Sequence, residues 1–562
     1  MLRRTLLVLF LCTLSEYTLA QNADEWWRDT FVYQVYPRSF KDGNGDGVGD
    51  LNGITSKLEH LADLGISALW LSPIYTSPMV DFGYDIANFT NIDSIFGTLD
   101  DFSRLVAKAK TLKLKVVLDF VPNHSSDKHA WFPKSVQKIK PYDEYYIWKD
   151  AKMVNGTRKP PNNWLSAFQG SAWTWNDQRK QYYLHQFAAG QPDLNYRSTA
   201  LQEEMKNVLR FWTNRGVDGI RIDTIPNLIE DSRFLDEPKI PNTGLPDTDP
   251  GTLQHIYTAD QDETYDILKS WRQVLDSSNG TRKIILTEAW TSLSLTMKYY
   301  NYGSNVPFNF MFINQLNNQS SPLDFKRIID RYLNSIPQGQ QPNWVVGNHD
   351  SHRAGSRYGE QRADQIPMIA AVLPGVGVLY NGDEIGMIDR PLSWAETVDP
   401  AGCNAGPGRY NVTSRDPERT PFQWDSTTSA GFSTNPKTWL PVHPNYKTLN
   451  LAAQKSSPTS HYGITKQLVA LKKDPIIRTG STQLIVAGEN VLGIVRRLDQ
   501  SRTIALLINF ANKPITIDAS AWLNIPTSMS VLVASVGSKI APGIRVNTAA
   551  LNLPAAASVI LK

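Results

Sequence analysis

Cysteine is nearly absent from this chain. Its 562 residues hold two, Cys12 and Cys403, so a disulfide framework is excluded and stability must come from a large apolar core. A charge excess is missing as well. The 57 Lys and Arg against 54 Asp and Glu leave a net charge of +3, which argues against a nucleic-acid partner or a polybasic membrane contact. Internal repeats and long low-complexity segments are also lacking. The N-terminal apolar run, Leu6–Leu14, is shorter than the ~20 residues of a membrane span. Arg3 and Arg4 precede it and Thr18-Leu19-Ala20 follows, so residues 1–20 read as a cleaved secretory signal. Secretion from that signal takes Cys12 away and leaves one thiol. Ala555–Lys562 is too short, and ends in a charge, to serve as a lipid-anchor signal.

What the chain has in plenty is aromatic surface: 16 Trp, 22 Tyr and 20 Phe. Most of these serve a core, but the Trp residues among Gly, Asn and Pro in 160–185 also suit a surface that stacks on flat apolar faces. The glycosylation sequons at Asn88, Asn155, Asn279, Asn318 and Asn411 fit a secreted, extracellular protein. Asn123-His-Ser matches as well, but lies within a candidate site.

Short apolar runs alternate with helical patterns. Phe31–Tyr36 precedes a helix over Ile54–Leu64, and Ala68–Leu71 precedes one over Leu99–Thr111. Further strands are expected at Lys115–Phe120, Gly219–Ile222 (after a helix around Glu203–Asn214), Ile284–Thr287, Phe308–Phe310, Asn343–Val346 and Val376–Tyr380. Such alternation predicts an α/β fold, an eight-stranded (β/α)8 barrel built from residues 21–123 and 189–479. Residues 124–188 break the rhythm and read as an inserted subdomain. From residue 480 the runs shorten into an antiparallel β domain, 480–562.

Three carboxylates stand at or just past strand ends: Asp223, Glu288 and Asp350. A carboxylate there costs stability unless something uses it, and that end of a parallel barrel is where such folds place their chemistry. Two facing carboxylates are what glycoside hydrolysis needs, one attacking the anomeric carbon and the other protonating the leaving oxygen. Arg221, two residues before Asp223, shares its strand face and would hold it ionised. Partial burial would keep Glu288 protonated. Asp350, beside His349, would grip sugar hydroxyls.

Asp119-Phe-Val-Pro-Asn-His124, Gly219-Ile-Arg-Ile-Asp223, Leu286-Thr-Glu-Ala-Trp290 and Gly347-Asn-His-Asp350 resemble the four ordered motifs of the α-amylase superfamily, glycoside hydrolase family 13. Gln191-Pro-Asp-Leu-Asn195, Val35-Tyr-Pro-Arg-Ser-Phe40 and Ser414-Arg-Asp-Pro-Glu-Arg419 are similar to its α-glucosidase and oligo-1,6-glucosidase branch, and Trp70 to Asp85 is similar to secreted insect maltases. The resemblance implies Asp223 as nucleophile, Glu288 as acid/base and Asp350 as transition-state stabiliser. It implies Tyr84 stacking on a terminal glucose and Asp85 and Arg415 binding its far hydroxyls. His124, Arg221 and His349 would line that subsite, with Phe187 and Gln191 in further pocket positions and Arg419 on the leaving-group side. Thr224 bears on linkage. The branch associates Val there with α-1,6 bonds and smaller or polar residues with α-1,4 bonds and sucrose. Maltose-type oligosaccharides and sucrose are therefore the expected substrates. The nearest alternative is a transglucosidase or sucrose isomerase using the same covalent intermediate. A more distant one is a non-catalytic interaction protein on the same barrel, against which the three retained carboxylates speak.

Asp42-Gly-Asn-Gly-Asp-Gly-Val-Gly-Asp50 opens like a calcium loop, with oxygen ligands at alternate positions, though Gly53 stands where an EF-hand has Glu. The family reading is a structural Ca²⁺ on Asp42, Asn44, Asp46, Asp50 and the Val48 carbonyl. Two departures are visible: Asn381-Gly-Asp-Glu384 replaces the branch's usual Tyr-Gly-Glu-Glu, and Asn227 replaces the His common in α-amylases.

Overall fold

The computed structural model describes residues 25–499 and 502–562. The expected signal over residues 1–20 lies outside them. Eight strands form one sheet: β1 Phe31–Val35, β2 Ala68–Leu71, β3 Lys115–Phe120, β4 Gly219–Ile222, β5 Ile284–Thr287, β6 Val306–Pro307, β7 Asn343–Val345 and β8 Val376–Tyr380. Their order is β6-β5-β4-β3-β2-β1-β8-β7, and every ladder is parallel. The seam between β6 and β7 is stitched by side-chain amides. Asn343 Nδ2 donates to the Pro307 carbonyl at 2.6 Å, and the Asn309 amide donates to Asn343 Oδ1 at 2.7 Å.

Strand alternation sorts side chains between two cores. Val32, Ala68, Trp70, Val117, Leu286, Val345 and Val378 fill the barrel interior. Tyr33, Leu69, Leu118, Ile220, Ile285 and Leu379 face outward onto the helices. The helix Leu99–Thr111 shows how the outer layer is specified. Thr98 and Asp101 form a reciprocal capping box, and Phe102, Leu105 and Ala109 are its buried stripe.

Two elements differ from the sequence expectation. The sixth strand is Val306–Pro307, not Phe308–Phe310, because Asn309 turns away to bond Asn343. Phe308 and Phe310 still pack in the barrel interior. The helix expected over Ile54–Leu64 is two short ones, Leu51–Ser56 and Leu58–Leu64, broken at Lys57.

Within 124–188, Trp148–Lys149, Gln181–Leu184 and Trp173–Asn176 form a three-stranded antiparallel sheet. Trp164 and Trp173 are buried in its own core with Tyr182 and Leu184. The expected stacking surface is therefore not made by these tryptophans; they hold the subdomain together. From Ser481 an antiparallel sheet of six strands closes the chain. Among the described residues no helix is long and apolar enough to cross a membrane. Asn88, Asn155, Asn279, Asn318 and Asn411 are all exposed, whereas Asn123 is buried.

Candidate active site

The period of two carries the inner face of three strands up to the barrel rim. On β3, Val117 leads to Asp119. On β4, Gly219 leads to Arg221 and then Asp223, and on β5, Ile284 leads to Leu286 and then Glu288. Gly219 is required here, since a Cβ on it would lie 2.2 Å from Ile284 Cγ2. Arg221 sits at the centre, packed 4.9 Å from the Trp70 ring. One of its terminal nitrogens lies 2.8 Å from Asp119 Oδ1 and 2.5 Å from Asp223 Oδ1; the other lies 2.6 Å from Glu288 Oε2. One planar guanidinium thus bridges both catalytic candidates. The two carboxyls so held are the pair that glycoside hydrolysis needs at one end of the barrel. Glu288 also accepts from the Thr224 amide at 2.9 Å and from the Trp290 indole at 2.8 Å.

A second arginine group faces the first. Arg415 lies 2.8 Å from Asp81, 3.2 Å from Asp350 and 2.5 Å from Asp399. Arg419 donates to Asp350 at 2.8 Å and to the His349 carbonyl at 2.7 Å. The Gln34 amide lies 2.8 Å from His349 Nδ1, and His349 Nε2 lies 3.4 Å from Asp350 Oδ2. The Tyr84 ring stacks on His349 at 5.2 Å, and its hydroxyl donates to Asp119 at 3.1 Å.

Asp81, Tyr84, His124, Phe168, Phe187, Asp223, Thr224, Glu288, Trp290, His349, Asp350 and Arg415 line one cavity of about 190 Å³. That is below the roughly 300–1,000 Å³ of sites for drug-sized ligands, a volume that suits about one sugar ring. A larger cleft of about 780 Å³, between residues 318–322, 358–362 and the C-terminal sheet, contains none of these groups.

Four expected positions are corrected. Asp85 does not reach the cavity: it is fully buried and accepts from Ser77 Oγ and the amides of Val80 and Asp81. Asp81, four residues earlier, pairs with Arg415 instead. Arg419 lies behind Asp350 with no exposed surface, not on the leaving-group side. Gln191 stands behind the wall, donating to Asp81 at 3.1 Å. Arg221 is likewise beneath the floor. Asp119, Phe168, Trp290, Asp399 and Gln34 were not singled out as site residues. Asp119 and Trp290 had a signal, as the first residue of the Asp119–His124 motif and the last of the Leu286–Trp290 motif.

Three guanidiniums meet six carboxyls here (Asp81, Asp119, Asp223, Glu288, Asp350 and Asp399), so full ionisation would leave net negative charge. That field complements a cationic transition state. It also forces the cluster to hold protons. Burial pushes Asp119 and Asp81 each up to about 6, against the pull of Arg221 and Arg415. Burial raises Asp223 too, with Arg221 pulling it down and Glu288 and Asp119 adding to the rise. This reverses the expectation that Arg221 alone fixes its charge: one cation is shared by three carboxyls. Burial would raise Asp350 as well, but His349, Arg419 and Arg415 hold it below its ordinary value. Since burial also keeps His349 neutral, the two guanidiniums supply that effect.

The Asp42–Asp50 loop winds through successive side-chain-to-amide turns. Asp42 accepts from the amides of Asn44, Gly45 and Gly47, Asn44 from Asp46, Asp46 from Val48, and Asp50 from Gly43 and Gly53. The donor set of the loop is all oxygen, and the Asp46 and Asp50 oxygens accept one hydrogen bond each and keep a lone pair, whereas both Asp42 oxygens accept two. Both properties fit a hard cation such as Ca²⁺.

A parallel barrel with paired carboxylates bridged by arginine at the C-terminal rim defines an enzyme class that breaks or re-forms glycosidic bonds through the anomeric carbon. The sequence model of the alpha-amylase catalytic domain matches residues 34–480, and the chain belongs to that family. The α-glucosidase of Apis mellifera is 48% identical over 522 residues, covering 93% of this chain and 91% of that protein. Maltase 1 of Drosophila virilis is 47% identical over 525 residues, 92% of this chain and 83% of that one. The crystal structure of the alpha-glucosyl transfer enzyme XgtA superposes with a TM-score of 0.84 at 33% identity, covering 95% of this chain and 99% of that one.

Proposed function

We propose that the protein is a retaining, exo-acting α-glucosidase that releases terminal glucose from maltose-type oligosaccharides and from sucrose. The observation that carries the exo-acting mode is the small cavity, about 190 Å³. The Asp81–Arg415 ion pair and the Tyr84–His349 stack stand in its wall, which supports a pocket for one terminal ring. An Asp223 oxygen attacks the anomeric carbon as the glycosidic C–O bond breaks, and Glu288 gives its proton to the departing oxygen. A water then replaces the aglycone, passes a proton to Glu288 and displaces Asp223, so configuration is retained. Asp350 grips the ring hydroxyls as it flattens. Rates on maltose, sucrose, isomaltose and starch, measured side by side, test this reading. Maltose and sucrose should lead, with glucose as product; a preference for starch with release of oligosaccharides would refute it.

Transglucosylation is the second reading, favoured by the aromatic mouth. Phe168 and Phe187 meet edge-on at 5.8 Å, and Trp290 stacks on Phe310 at 4.0 Å. Such a rim can seat a sugar acceptor in place of water. Product analysis at high substrate concentration separates the two, through free glucose or a trisaccharide.

Linkage choice rests on Thr224. Its hydroxyl is spent on Asn227 Oδ1 at 2.9 Å, and Asn227 donates to Gln186 at 2.8 Å. Thr224→Val keeps the shape but leaves Asn227 Oδ1 without its donor, a loss on the order of 1 kcal/mol. The expected result is a maltose-to-isomaltose rate ratio shifted several-fold towards isomaltose. An unchanged ratio would remove Thr224 from the linkage argument.

The loop Asp42–Asp50 is read as a structural Ca²⁺ site bracing the first barrel loop, remote from bond-breaking. Chelation should lower Tm by roughly 3–8 °C while kcat at low temperature stays within about twofold. Asp46→Ala should abolish the difference between chelated and calcium-loaded protein. A chelator that leaves Tm untouched would dismiss the ion. The N-terminal signal and the exposed sequons support a secreted glycoprotein.

A further inference from the structure

Three side chains outside the cavity converge from separate segments. His352 lies two residues past Asp350 in the loop after β7, Asp389 lies in the loop after β8, and Glu418 ends the turn Asp416–Glu418 beside Arg419. One ligand atom from each lies within 4.8 Å of the others. His352 Nδ1 is 2.8 Å from Asp389 Oδ2 and 3.6 Å from Glu418 Oε2. Ligand atoms around a tetrahedral zinc with bonds of ~2.0–2.1 Å stand about 3.3 Å apart, so these separations bracket that spacing.

Glu418 supplies a separate observation. It is 2% exposed, yet its Oε2 has no hydrogen-bond donor. A buried carboxylate oxygen left unpartnered is costly, and this one faces the imidazole and the second carboxylate. Arg357 is committed to the carbonyls of His352, Phe312 and Val346, and Arg419 to Asp350 and the His349 carbonyl. Asp389 is oriented from behind, its other oxygen accepting from the Arg353 amide at 2.8 Å. Such outer support is typical of metal-binding carboxylates. His352 is half exposed, which leaves a path from solvent.

We propose that His352, Asp389 and Glu418 form a binding site for a divalent transition ion of the zinc type, with the fourth position open to water. Two carboxylates balance the ion's charge. The imidazole nitrogen separates this site in chemistry from the all-oxygen loop at Asp42–Asp50, because nitrogen favours zinc-like ions over calcium. Bound there, the ion joins the segments that carry Asp350 and Arg419, and so braces the wall of the cavity without touching substrate.

The test is calorimetric titration of the full chain with ZnCl₂, after chelation and return to saturating Ca²⁺. One equivalent should bind with micromolar or tighter affinity. His352→Ala, a half-exposed position, should weaken uptake by more than ~100-fold, beyond the ~10–100-fold cost of losing an outer-shell partner. Asp389→Asn should weaken it as well. The proposal is overturned by no saturable uptake in that range, by uptake that survives His352→Ala, or by uptake lost with His352 but untouched by Asp389→Asn. That last pattern would mean a lone surface imidazole.

Discussion

Asp223→Asn is expected to cost about 10⁴-fold or more in kcat on maltose, the scale seen when a covalent nucleophile is removed. Asparagine keeps the shape and leaves Arg221 its contacts with Asp119 and Glu288, but an amide does not displace a sugar alkoxide. Stability should move the other way. Burial raises the Asp223 carboxyl above its ordinary value, so the folded state binds its proton more readily than the unfolded chain. Between the two values stability falls as pH rises, and at pH 7 the ionised form is a net cost. A neutral residue removes that cost, and Tm of the variant should equal or exceed that of the parent. Kinetics and thermal melts on one preparation check both halves. Retained turnover would refute the nucleophile, and a sharp fall in Tm would refute the account of crowded carboxyls.

Some of this site was legible in the chain because strand geometry is local. Arg221 and Asp223 must share a face, and apolar runs ending in carboxylates must point them at one rim. The Asp81 and Asp85 exchange was not legible, because it depends on a reversal of direction. Phe82 and Gly83 both adopt positive φ, 48° and 112°, and Asp85 turns inward to hold the amides of Val80 and Asp81. Asp85 thus builds the turn that presents Asp81. Arg419 was misplaced for a related reason: it follows Arg415 by one helical turn in sequence, yet only the fold decides which of two guanidiniums lies in front. Asp399 and Gln34 carry no motif of their own. Each matters through a partner far away in sequence, and a single chain read in order does not reveal such pairs. The tryptophans of 160–185 show the converse. Their composition suited a sugar-binding surface, but a subdomain this small needs Trp164 and Trp173 inside, with Trp175 packed at the edge of that core.

Glu288→Gln should separate the two catalytic carboxyls by their dependence on the leaving group. The second glucose of maltose departs as a poorly stabilised alkoxide and needs the proton, so kcat should fall by about 10²–10⁴-fold, the usual weight of general acid catalysis. α-Glucosyl fluoride loses fluoride with far less help, and its first step should be largely spared. The second step still suffers, because Glu288 is also the base that takes a proton from water, and the glucosyl-enzyme should accumulate as a burst. Azide has no proton to lose. Added azide should therefore restore turnover of the fluoride, giving a glucosyl azide of α configuration by displacement at Asp223. The hydrogen bonds at Glu288 make the substitution mild. Oε1 accepts from Trp290 and Oε2 from Thr224, and a glutamine oxygen keeps one of them. Equal losses on maltose and the fluoride, or no response to azide, would take the proton-transfer role away from Glu288 and leave it a neighbour of Arg221 alone.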